Sequence, residues 1–89
     1  MNKYSRVVKK YRDEQNQSLR DFASSLSEKL PEQILHQTIS YWENDGRKPS
    51  VYLLLTIALT YSDWRRDFAL DGLAAIKPEL YASDPQHPY

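Results

Sequence analysis

The chain has no cysteine, which excludes disulfides, thiolate metal sites and a cysteine nucleophile. So small a fold must then stand on its packed core alone. The two histidines, His36 and His87, lie far apart, so a histidine-based metal cluster is not expected. Glu32 and His36 share a helix face at i, i+4, but no third ligand accompanies them, and neither a metal nor a cofactor is expected. No apolar run approaches the roughly 20 residues that span a membrane. The opening Met-Asn-Lys-Tyr-Ser-Arg lacks the apolar core of a signal peptide, so a cytoplasmic location is expected. Net charge is also lacking: 12 basic residues balance 12 acidic ones, which by itself argues against a strongly basic nucleic-acid binder. An enzyme is not expected either. Asp13 and Glu14 are consecutive and point to different faces of a helix, and a bundle this small has little room for a substrate pocket.

What is present is an ordinary globular composition, 40% hydrophobic, 27% charged and 12% aromatic over 89 residues, enough for one domain. Charge is unevenly spread. Residues 1–12 carry +5, residues 13–62 carry −3 and residues 63–89 carry −2. A basic amino-terminal stretch is a weak pointer to an anionic partner and equally describes a solvated helix face. With only two glycines, Gly46 and Gly72, and no sustained period-two alternation, the pattern is helical throughout.

Tyr4, Val7, Val8 and Tyr11 predict a first helix over about 3–15, broken at Asn16-Gln17. Ser18 is the expected N-cap of a second helix, burying Leu19, Phe22, Ala23, Leu26 and Leu30 and stopped near Pro31. A third runs from about Ile34 to Asn44 on an apolar stripe of Leu35, Ile39 and Trp42, with Trp42 expected inside, against the first and fourth helices. Asn44-Asp45-Gly46 ends it. Ser50 caps a fourth helix to about Tyr61, so apolar that it reads as the central core helix. Ser62 or Asp63 caps a fifth, Trp64 to Ile76, ended by Lys77-Pro78. Residues 1–77 thus form the expected domain, and 78–89 a flexible or folded-back tail.

The third helix carries the most information. At about 100° per residue, Gln37, Ser40, Tyr41 and Asn44 lie opposite the apolar stripe, flanked by His36 and Thr38. All four can hydrogen-bond and none is charged. Solvated faces favour Glu and Lys, whereas amides, a hydroxyl and a phenol can meet base edges in a major groove without a large desolvation cost.

Several motifs occur in order around this helix: Arg12 six residues before Ser18; Phe22-Ala23; Thr38-Ile39-Ser40 with Glu43; Pro49-Ser50; and Ile57-Ala58 with Tyr61. In these the chain resembles the phage repressor/Cro-type (XRE) helix-turn-helix family over about residues 5–63. The resemblance implies an all-α, five-helix bundle of the lambda-repressor-like DNA-binding type. It also implies a salt bridge between Arg12 and Glu43 that ties the first helix to the recognition helix. Three departures stand out. Residues 28–33 are inserted between the second and third helices, so that either the second helix extends or the connection lengthens. Leu19 stands where many members carry a phosphate-touching Gln. Gly46 comes one residue late after the recognition helix.

The function implied is a sequence-specific, repressor-like transcriptional regulator of double-stranded DNA, nucleoid-associated, with Gln37, Ser40 and Tyr41 near bases and the flanking His36 and Thr38 among the DNA-binding residues. Asn44, Arg47 and Lys48 would hold phosphates, with Lys9 and Lys10 adding to them. The alternative is a protein-interaction module on the same fold, an antitoxin or anti-regulator without DNA readout, which the acidic middle and Leu19 support. The fifth helix carries apolar residues around more than half of its wheel. An outward stripe of Trp64, Phe68, Leu70 and Leu73 is therefore expected to form a homodimer suited to a palindromic operator.

Overall fold

A computed structural model describes residues 2–76, and among these every regular element is helical. The tail expected over 78–89 lies outside the described residues. The five helices are α1 (Lys3–Glu14), α2 (Leu19–Ser27), α3 (His36–Asn44), α4 (Val51–Thr60) and α5 (Trp64–Ile76). The expected all-α five-helix bundle is what forms. No described helix is long and apolar enough to cross a membrane, and no described group of side chains could hold a metal ion.

The helix limits follow from local chemistry. Asn2 Oδ1 accepts from Ser5 N at 2.8 Å, Ser18 Oγ from Asp21 N at 3.1 Å, and Ser50 Oγ from Leu53 N at 3.0 Å; each cap satisfies an otherwise orphaned first-turn amide. Asp63 does the same for Arg65 N at 3.0 Å. Between α1 and α2 the chain turns through Asn16 in the left-handed region, a conformation asparagine tolerates well.

α1 packs on α3 and α5, α2 on α3, and α4 on α5. Phe68 is the hub of the core. Its ring meets Phe22 edge-on at 5.3 Å and Tyr11 at 5.7 Å, while Tyr4 reaches Trp42 at 5.7 Å. Both glycines are used. Gly46 adopts φ +72° after α3, and a Cβ on Gly72 would lie 2.9 Å from Tyr4 Cε1, so α1 and α5 approach this closely only because that Cβ is missing.

Residues 28–35 connect α2 to α3 as a loop, so α2 does not extend. The loop is fastened from both ends. Ser27 Oγ donates to Ala23 O at 2.7 Å and accepts from Ile34 N at 2.7 Å. Tyr61 hydroxyl donates to Leu26 O at 2.7 Å and accepts from Lys29 N at 2.9 Å. Arg65 lies over the Tyr61 ring and donates to Ser25 O at 2.8 Å and Glu28 Oε1 at 2.9 Å.

The structure departs from three expectations. Leu35 does not join the α3 stripe: it is the N-cap residue, 57% exposed, and Ile34 takes the buried place. The stripe of Trp64, Phe68, Leu70 and Leu73 does not face outward. Phe68 and Leu73 are fully enclosed in the core, and Trp64 is half-buried against Phe22; only Leu70 is exposed. The reason is that α5 is covered by α1 on one side and α4 on another, so an apolar girdle is consumed within one copy. Conversely, α4 is not buried all round. Tyr52, Leu55 and Leu59 are 79%, 45% and 86% exposed.

Candidate nucleic-acid interface

α3 has two unlike sides. Ile39, Trp42 and Glu43 are buried, and three polar links from α1 and its N-cap residue hold that side and the turn after it in place. Asn2 Nδ2 donates to Gly46 O at 3.0 Å. Ser5 Oγ donates to Trp42 O at 2.6 Å. Arg12 donates Nε to Glu43 Oε2 at 2.9 Å and Nη2 to Glu43 Oε1 at 2.7 Å, the two-pronged arrangement that guanidinium and carboxylate geometry favours. Glu43 is only 5% exposed, and hydrogen bonding to it raises the pKa of Arg12 above its already high ordinary value. The expected Arg12–Glu43 pair is therefore present as a positioning device between α1 and α3, and Trp42 is inside against Tyr4 of α1.

The opposite side carries the predicted reading residues. Gln37, Tyr41 and Asn44 are exposed; His36, Thr38 and Ser40 are half-buried. Asn44 Nδ2 donates to Ser40 Oγ at 3.3 Å, which links two of the four outward groups along the helix. Arg47 curls back over the Tyr41 ring, 4.2 Å from its centroid. The backbone aims it there, since Asp45 N and Arg47 N both donate to Tyr41 O, at 3.0 and 3.3 Å. A guanidinium stacked on a phenol keeps its donor edges free for an anion while its face is shielded by the ring. Lys48 follows, exposed. The structure thus lines Gln37, Ser40, Tyr41 and Asn44 along α3 from its first turn to its last, with Arg47 stacked on Tyr41 beyond the carboxyl end.

One neighbour escaped the sequence reading. Arg20, in the first turn of α2, lines a shallow cleft of about 160 Å³ together with Ser24, Gln33 and His36. It adds an exposed cation beside the amino end of α3, where no side chain caps the backbone. No sequence signal marks Arg20; its neighbour Leu19 is half-buried against the core instead of reaching outward. Lys9, by contrast, pairs with Asp13 on exposed α1 at 3.6 Å, an i,i+4 contact of little energetic weight. Comparison with family models, with curated proteins and with solved structures finds no match to this chain.

Proposed function

We propose that the chain is a sequence-specific double-stranded DNA-binding regulator, repressor-like in architecture, that lays α3 in the major groove. The observation that carries this reading is the two-sidedness of α3. Its back is fixed to α1 by directional polar contacts, and its front is an uncharged row of donors and acceptors bounded by Arg20 at one end and Arg47-Lys48 at the other. Phosphate contacts orient such a protein, and base edges specify. Gln37 suits the N6/N7 edge of adenine, while Ser40 and Tyr41 suit several edges. Arg47, Lys48, Arg20 and Asn44 serve phosphates. Binding as a homodimer would match a palindromic operator.

Selection of bound fragments from a random DNA pool, followed by titration of the preferred site, tests this reading. Gln37→Ala is expected to cost about 1–3 kcal/mol at the preferred site and to relax discrimination at one base pair. Arg47→Ala is expected to weaken all sequences alike and to flatten the salt dependence. No mobility shift on any fragment with micromolar protein at low salt would overturn the reading.

A further inference from the structure

Among the described residues the two most exposed large hydrophobic side chains, Tyr52 and Leu59, lie on α4. Tyr52, Leu55 and Leu59 recur at i, i+3, i+7 and form one row along the helix. Beside the first turns of that row runs a groove of about 370 Å³, whose walls include Leu30 and Pro31 from the α2–α3 loop and Tyr52, Leu53 and Thr56 from α4. Val51–Thr60 contains no charged residue, and among the described residues Glu32 is the one charge on the groove's rim. A patch of this kind on a small chain marks an interface more often than bare surface.

We infer that this face is where a second copy of the chain docks, with the two α4 helices antiparallel across a two-fold axis near Leu55. This deepens the homodimer part of the DNA reading and moves the interface from α5, whose Phe68 and Leu73 are enclosed, to α4. Two features of the surface favour a second copy over an unlike partner. First, it is self-complementary. A two-fold interface sets each surface against itself, and here the antiparallel arrangement brings Leu59 of one copy over Tyr52 and the adjoining groove of the other. Second, it is electrostatically silent. No charge on α4 is brought against its own image, and the two Glu32 side chains sit at opposite ends of the interface, whereas a charged partner would find nothing on α4 to pair with. Three side chains and a groove are small beside the roughly 800 Å² per partner of a standard stable interface, so the dimer is a weak, concentration-dependent one.

Sedimentation of the full chain without DNA tests the inference separately from the DNA reading, because either result stands whether or not DNA binds. Mass is expected to rise toward the dimer with concentration. Leu59→Glu is expected to weaken association about tenfold or more by placing a carboxylate in the apolar groove of the partner, with helix content and the melting of the dilute chain unchanged. Leu70→Glu, on the exposed side of α5, is expected to leave association unchanged. Mixing Leu59→Glu chains with Tyr52→Lys chains is expected to restore a mixed dimer, since the antiparallel register sets the new carboxylate against the new ammonium. A wild-type chain that stays monomeric at every soluble concentration, or a Leu59→Glu chain that associates as tightly as wild type, overturns the inference. A monomer whose melting falls on Leu59→Glu also overturns it, showing the face covered by residues 77–89 of the same chain.

Discussion

α3 and α4 are helices of similar length joined by residues 45–50, yet they are held in different ways. α3 is fixed by direction: an ion pair and a buried hydroxyl reach it from α1, the N-cap asparagine of α1 holds the turn that follows it, and each works in only one orientation. α4 is fixed by packing: Leu54, Ile57 and Ala58 are buried, while the row of Tyr52, Leu55 and Leu59 remains outside. Apolar packing is non-directional and scales with area, so it places a helix without setting its rotation as tightly as a bidentate pair does. The helix whose outward face is proposed to read DNA is the one held by directional bonds. The helix whose outward face is apolar needs only to be covered.

The strongest way to break that contrast is to cut the directional hold. Arg12→Ala leaves the enclosed Glu43 carboxylate without its partner, and losing one member of such a pair costs about 3–5 kcal/mol. Denaturant titration should show this loss, and Glu43→Gln, which retains a hydrogen-bonding group, should lose less. An Arg12→Ala chain as stable as wild type would mean that Glu43 finds water or another donor, and α3 would not be fixed as described.

Next in size is Leu54→Ala, which tests the packing hold. Leu54 is fully buried, and its Cδ1 lies 3.3 Å from where a Cβ on Gly72 would stand, so the α4–α5 contact has little slack. Truncation should cost about 2–5 kcal/mol by the same titration, the spread depending on how far the site can collapse. Unlike Arg12→Ala, it should leave the environment of α3 unchanged in backbone amide shifts.

Much of this contrast was legible in the residues, and the part that was not has a physical cause. Ser18, Ser50 and Gly46 announced helix ends because capping is local chemistry. The two sides of α3 were legible because its polar and apolar residues separate cleanly on the wheel. Leu35 was misplaced because the α2–α3 loop is set by Tyr61 and Arg65, more than twenty residues downstream. The outward sides of α4 and α5 were exchanged for a related reason. Neither helix separates its apolar residues onto one side, so which side is covered depends on neighbours: α5 has two, α1 and α4, whereas α4 packs chiefly on α5. Arg20 was passed over because its place beside His36 exists only once that loop is folded.

Smaller again is Ser5→Ala. Ser5 is fully buried and donates to Trp42 O near the end of α3. The change removes the donor while the carbonyl stays, which should cost about 1 kcal/mol. Because the bond steers the carboxyl end of α3 and not its core, amide shifts should move around Trp42 to Arg47 and stay still in α4. Shifts spread evenly over the bundle would instead assign Ser5 a plain packing role.

The smallest effect sharpens the contrast most. Leu59→Ala removes a side chain that α4 keeps 86% exposed, so little apolar burial is lost with it. Alanine is also a marginally better helix former than leucine. In dilute solution, where copies do not meet, the two changes should leave stability within about 0.5 kcal/mol of wild type. The same methyl groups removed at Leu54, five residues earlier on the same helix, cost several times as much. If Leu59→Ala instead lowered dilute stability by 1 kcal/mol or more, the side chain would be buried within a single copy. α4 would then be covered on that side too, and the difference between a helix held by direction and one left open for a partner would disappear.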